Sequence, residues 1–139
     1  MKIAQLIAAL LLSLTLPQIG FAADAKPADG EHKSAARRID VEEFEKLRAD
    51  KKNVVVDVRT EKEFKAGHIP GAVNLDVNAQ DFDAKVARLD KSKTYMVHCM
   101  VGHRSAKACD KFVAAGLTNI LDFSVGMKAW QNAGKPIEK

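Results

Sequence analysis

The sequence predicts an α/β protein: a parallel sheet covered by helices on both faces, in three layers. Three observations predict it. Short apolar runs at 54–58, 72–75, 94–98 and 119–121 alternate with segments of helical periodicity, the pattern of repeated strand–helix–strand units. Val54-Val55-Val56 and Tyr95-Met96-Val97 are apolar at consecutive positions, as strands buried on both faces require. Asn53, Gly67, Pro70-Gly71, Gly116 and Gly134 stand where elements must stop or turn.

Each element has a local reason. Asp40 can cap a helix, with Glu43 three residues on as its reciprocal partner, and Val41, Phe44 and Leu47 follow at helical spacing. The strand 54–58 comes next. Thr60 and Glu63 repeat the capping pattern, Phe64 is expected to face the core, and Gly67 ends that helix. A short strand spans 72–75. Phe82, Val86 and Leu89 mark a third helix, and the strand 94–98 follows it. The helix 105–115 ends at Gly116, the strand 119–121 follows, and the last helix runs over 126–133. In such sheets ligands bind beyond the carboxyl ends of the strands. Asp57-Val58-Arg59, the loop after His98 and the turn near Ser124 all fall there.

The first residues have a different character. Met1-Lys2 is followed by a run from Ile3 to Leu16 broken only by Gln5, Ser13 and Thr15, then Pro17 and the small residues Gly20 and Ala22. This is the layout of a secretory signal. The run falls short of the ~20 residues that span a bilayer. Cleavage after Ala22 is expected, with no stable membrane insertion afterwards; an uncleaved anchor is the alternative. The implied location is periplasmic or secreted. Residues 23–38, rich in Ala, Lys, Asp and Gly, read as a flexible linker, and residues 39–139 as the folded domain.

The 139 residues are 47% hydrophobic and 29% charged, an ordinary globular balance. Loss of residues 1–22 leaves 21 Lys and Arg against 18 Asp and Glu, a net charge of +3. No basic stripe carries interleaved aromatics, which argues against nucleic acid. The mild positive balance is compatible with a small anionic substrate.

The chemistry points to His98-Cys99-Met100-Val101-Gly102-His103-Arg104-Ser105. A strand ends, a cysteine follows at once, and a helix begins a few residues later. Loop amides and the free amides of the helix start can converge on an anion there, helped by the helix dipole. Gly102 permits backbone conformations that other residues resist, and Arg104 adds a fork matched to oxyanions. Such a setting favours thiolate, the nucleophilic form, so Cys99 is a candidate nucleophile. Against this stands a small core residue at a strand end. Cys109, between Ala108 and Phe112 within a helix, reads as packing. A Cys99–Cys109 disulfide would need the loop to fold back over the helix. A metal site from His98, Cys99 and His103 has awkwardly adjacent ligands and no Cys-x-x-Cys pair. The reading calls for no cofactor and no metal.

Three blocks resemble the rhodanese domains. They are Asp57-Val58-Arg59-Thr60-Glu61-Lys62-Glu63-Phe64 with Gly67-His68-Ile69-Pro70-Gly71-Ala72-Val73-Asn74, then Cys99-x-x-Gly102-x-Arg104-Ser105, then Gly126-Met127-x-x-Trp130. The resemblance covers almost all of 39–139. It implies a five-stranded parallel sheet and a sulfurtransferase whose Cys99 carries sulfur as a persulfide. Residues Met100, Val101, Gly102, His103 and Arg104 would cradle the donor, a small anion such as thiosulfate. Cyanide or a thiol, including one on a partner protein, would accept the sulfur. Asp57, Arg59 and Ser105 are implied as supporting residues, the first two as a buried ion pair tying strand to loop. Many family members carry a basic residue after the cysteine; here it is Met100, followed by apolar Val101.

The same fold hosts phosphatases and arsenate reductases, whose loops place five residues between cysteine and arginine. Here four lie between Cys99 and Arg104, a ring suited to one sulfur atom. A second alternative is a non-catalytic docking or redox module. Retention of Cys99 and Arg104 favours catalysis.

Overall fold

The computed structural model describes residues 36–139. The segments read as an export signal and as most of the linker lie outside the described residues. Five parallel strands form one sheet: β1 (Arg37–Arg38), β2 (Asn53–Asp57), β3 (Val73–Asn74), β4 (Thr94–His98) and β5 (Ile120–Phe123). Their spatial order is β1-β5-β4-β2-β3, so β4 lies at the centre. The helices are α1 (Val41–Arg48), α2 (Glu61–Ala66), α3 (Phe82–Ala87), α4 (His103–Ala114) and α5 (Gly126–Asn132).

Strand alternation builds two separate cores. Val56, Tyr95 and Val97 pack with Phe82 and Val86 of α3 and Phe112 of α4. Val55, Met96 and Phe123 pack on the other face with Phe44 of α1 and with Met127 and Trp130 of α5. Helices on both faces give the three-layer α/β/α architecture expected. Phe44 stacks on Phe123 at 4.2 Å between ring centroids and meets Trp130 edge-on at 5.6 Å. The Trp130 indole N–H donates to the Pro136 carbonyl at 2.8 Å, so the ring is buried without losing its hydrogen bond.

Four local expectations are corrected. The sheet starts with Arg37–Arg38, from the end of the stretch read as linker; β1 lies at the sheet edge in register with Leu121 and Asp122. The helix expected from Ser105 begins at His103. The Asp40 carboxylate accepts from the Glu43 N–H at 2.9 Å, but the Glu43 carboxylate pairs with Arg37 at 2.7 Å rather than turning back to the cap. Phe64 is only half-buried and stacks on His68 at 3.8 Å instead of entering a core.

Asp122 of β5 points into the α3–α4 side of the sheet and is 1% exposed. Its Oδ1 finds no hydrogen-bond partner among the described residues. Burial raises its pKa, against the opposing pull of Ser105 and Arg38, and Asp110 adds to the rise. The folded chain therefore binds this proton more tightly than the unfolded chain does. Asp122 favours the fold at acid pH, and that contribution is lost as pH rises from the ordinary carboxylate range through the raised value. Asp122→Asn is expected to raise Tm at about pH 7.5 by ~4–8 °C for each ~1 kcal/mol recovered, and by less at about pH 4, in paired thermal melts. An equal shift at both pH values would contradict this account of Asp122.

Candidate active site

Cys99 follows β4 directly, at the carboxyl end of the central strand. It is 1% exposed, so only a small group could reach its sulfur. The chain turns at Gly102, whose φ of +103° is costly for any residue with a side chain. The Gly102 N–H donates to Cys99 Sγ at 3.1 Å. A Cβ at Gly102 would stand 2.4 Å from the Ser124 carbonyl oxygen. The loop thus lies against the turn after β5 with no room for a methyl group.

The start of α5 holds the loop from the other side. The Met127 N–H donates to the Cys99 carbonyl at 2.8 Å, and the Lys128 N–H to the Met100 carbonyl at 3.1 Å. Gly126 makes that approach possible: a Cβ there would fall 2.5 Å from the Cys99 oxygen. With both carbonyls turned to α5, the trans peptides direct the Met100 and Val101 N–H groups to the opposite side. Beyond Gly102, α4 adds the unpaired amides and positive dipole end of a twelve-residue helix. The Ser105 hydroxyl donates to the Gly102 carbonyl at 3.0 Å and secures the first turn, which fits a supporting role.

The side chains of the loop differ in what they can offer. Met100 packs partly into the α1–α5 core, Val101 is 50% exposed and His103 is exposed. The Arg104 fork, expected to face an oxyanion, is engaged by Glu63 of α2 through two bonds of 2.7 and 2.9 Å. Arg104 lowers the Glu63 pKa to about 2 despite partial burial, and Glu63 raises that of Arg104 in return. The pair ties α4 to α2 and leaves little net charge at that wall of the site.

Asp57 and Arg59 form the buried ion pair expected. The Arg59 Nη2 donates to Asp57 Oδ2 at 2.7 Å and to the Gly67 carbonyl at 2.8 Å. It anchors the end of β2 to the end of α2, not to the Cys99 loop itself. His98, fully buried, lies between these parts. Its Nδ1 is 3.2 Å from the Cys99 carbonyl, and its Nε2 is 3.9 Å from Asp57 Oδ2 without a hydrogen bond. Burial lowers the His98 pKa more than Asp57 raises it. Burial thus favours the neutral ring, in which Nδ1–H donates to the Cys99 carbonyl. Among the described residues no cluster of three His, Cys, Asp or Glu side chains could hold a metal ion.

The sequence reading missed two participants. Glu63 was legible only as a capping partner for Thr60, a role it also fills. Its bond to Arg104 joins residues 41 apart, and no local pattern signals that. His98 was weighed only as a metal ligand; its position at a buried strand end, beside the cysteine, was the available signal. Both cysteines are free. Burial, then the nearby Asp122 and Asp110, push the Cys109 thiol well above its ordinary range, in keeping with a packing role.

One surface hollow, about 520 Å³, is lined by Glu61, Phe64, Asn74 and Lys85 among others and touches no loop residue. A smaller one of about 220 Å³ borders the loop, lined by Arg59, Glu63, Ala66, Gly67, Met100, Gln131 and Ile137. Of the two, the smaller hollow is the one that includes a loop residue, Met100.

Comparison with known proteins bears on the family and the fold. A sulfurtransferase of Allochromatium vinosum is 31% identical over 100 residues, covering 71% of this chain and 92% of its own. The thiosulfate sulfurtransferase GlpE of Pseudomonas entomophila is 33% identical over 100 residues, covering 71% and 88%. A rhodanese-related protein from Thermoplasma volcanium superposes with a TM-score of 0.63 at 30% identity, over 73% of this chain and 97% of that one. These relatives support sulfur transfer as the broad class of activity. The profile of the rhodanese-like domain matches residues 40–133, from the cap of α1 to the end of α5, and the chain belongs to that family.

Proposed function

We propose that this chain moves sulfane sulfur from a small anionic donor such as thiosulfate to cyanide or a thiol, through a persulfide on Cys99. The observation that carries the reading is the Gly102 N–H on Cys99 Sγ at 3.1 Å, at the dipole end of α4. The Cys99 thiolate attacks the outer sulfur of thiosulfate. The new S–S bond forms as the old one breaks, and sulfite leaves with the electron pair. The outer sulfur of the persulfide then passes to cyanide as thiocyanate, or to a thiol as a new persulfide, and Cys99 is again a thiolate. The loop amides would stabilise anionic sulfur at each stage.

Phosphoryl chemistry is disfavoured on two grounds. Four residues separate Cys99 from Arg104, and the Arg104 fork that a phosphate would need is occupied by Glu63. Parallel assays would decide: formation of thiocyanate from thiosulfate and cyanide is expected, with no hydrolysis of an aryl phosphate. Turnover of the phosphate alone would overturn the reading.

A further inference from the structure

The residues after α5 lie beyond the match to the family, which ends at 133. They are tied down at both ends. At the near end, the Pro136 carbonyl accepts from the Trp130 indole at 2.8 Å, the Lys135 N–H donates to the Trp130 carbonyl at 3.3 Å, and the Lys135 ammonium pairs with Glu45 of α1. At the far end, Glu138 pairs antiparallel with His68, just past α2, and each backbone N–H donates to the other's carbonyl at 2.9 Å. Between them Ile137 lies over Gly67, 3.3 Å from where a Cβ would stand.

The two anchorages flank the Cys99 loop. On one side, α5 gives the Met127 and Lys128 N–H groups to the Cys99 and Met100 carbonyls at 2.8 and 3.1 Å. On the other, the Gly67 carbonyl accepts from Arg59 at 2.8 Å, and Arg59 holds Asp57 at the end of β2. His98 completes the circuit, with Nε2 3.9 Å from Asp57 and Nδ1 3.2 Å from the Cys99 carbonyl. A helix of seven residues such as α5 is marginal alone, so its place is set by what it touches.

We propose that residues 135–138 are a positioning strap, which closes a ring of contacts around the Cys99 loop and fixes where Cys99 stands for sulfur transfer. The catalytic consequence rests on the sulfur-transfer reading; the mechanical one does not. Once the strap is released, α5 and the turn after α2 are free to separate. The Met127 and Lys128 N–H groups then move with α5, and the carbonyls of Cys99 and Met100 lose fixed donors. Ile137 is 42% exposed, so release uncovers little apolar surface and its effect falls on the geometry of the loop.

The test measures amide hydrogen exchange and thiosulfate:cyanide kinetics on the whole chain in three variants. Glu138→Pro removes the N–H given to His68, and Ile137→Asp sets a charge against Gly67. Glu138→Gln keeps the backbone pair and removes only a carboxylate that is 58% exposed and 3.7 Å from His68 Nε2. In the first two, exchange at the His68 amide should rise, which reports release of the strap, and exchange at Met127 and Lys128 should rise with it by about tenfold or more. Met96 and Val97 in β4 should keep their protection, which separates local release from loss of the fold. Displacing a nucleophile by about 1 Å costs roughly a hundredfold, and release moves Cys99 by less, so kcat should fall by about tenfold. KM should change by less than about threefold, since no donor contact is removed. Glu138→Gln should stay within about twofold of the unmodified chain in every measure, as an exposed ion pair is worth little. Release of His68 without faster exchange at Met127 and Lys128, or with kcat unchanged, overturns the proposal. So does His68 exchange that neither variant moves, since the strap would then not depend on these contacts. If the unmodified chain transfers no sulfur, the sulfur-transfer reading fails, and the exchange data still decide whether the strap sets α5.

Discussion

Replacing Cys99 with serine is expected to remove sulfur transfer down to background, a loss on the order of a thousandfold or more, as for other single nucleophile deletions. Serine is close in size to cysteine, and Cys99 is buried, so the fold should persist. The Gly102 N–H that reaches Sγ at 3.1 Å can reach a hydroxyl as well. What is lost is the polarizable sulfur able to form and release an S–S bond. Unchanged circular dichroism and a Tm close to that of the unmodified chain would show that the loss is chemical. Retained transfer in Cys99→Ser would move the chemistry elsewhere, and Cys109 is poorly suited to it, since burial holds its thiol protonated.

The second large effect is expected at Gly102. An alanine there must adopt φ +103° and place its Cβ 2.4 Å from the Ser124 carbonyl. The strain alone costs about 1–3 kcal/mol. The clash is with backbone, so the loop itself must move. Displacement of a nucleophile by about 1 Å is enough to cost roughly a hundredfold in rate. Gly102→Ala should therefore lose about a hundredfold or more of transfer activity while its far-UV spectrum stays α/β. Gly71→Ala separates the two contributions. It has φ +79° but nothing within 4 Å of the new Cβ, and it lies away from the loop. That variant should lose stability and keep its kcat. Equal activity losses in both would mean that the Ser124 contact does not set the loop.

The difference between what the sequence revealed and what it hid follows from locality. The strands were legible because a parallel sheet buries both faces, and consecutive valines and Tyr95-Met96-Val97 have few other uses. β1 was not: two arginines at an edge carry no apolar signal, and only backbone pairing to β5 makes them a strand. The Cys99 loop was legible because cysteine, glycine and arginine coincide where a strand becomes a helix. The partner of Arg104 was hidden, because Glu63 already satisfied a local motif with Thr60 and its second role depends on how α2 meets α4. Gly126 stood out only as part of the third family block; the reason for a glycine there was hidden, since it arises from the Cys99 and Met100 carbonyls, close in space and distant in sequence.

The central claim is that sulfur resides on Cys99. Intact-mass measurement after incubation with excess thiosulfate, without an acceptor, tests it most directly. The account predicts a gain of one sulfur atom, reversed by cyanide and absent in Cys99→Ser. No gain, or a gain that survives in Cys99→Ser, would contradict it.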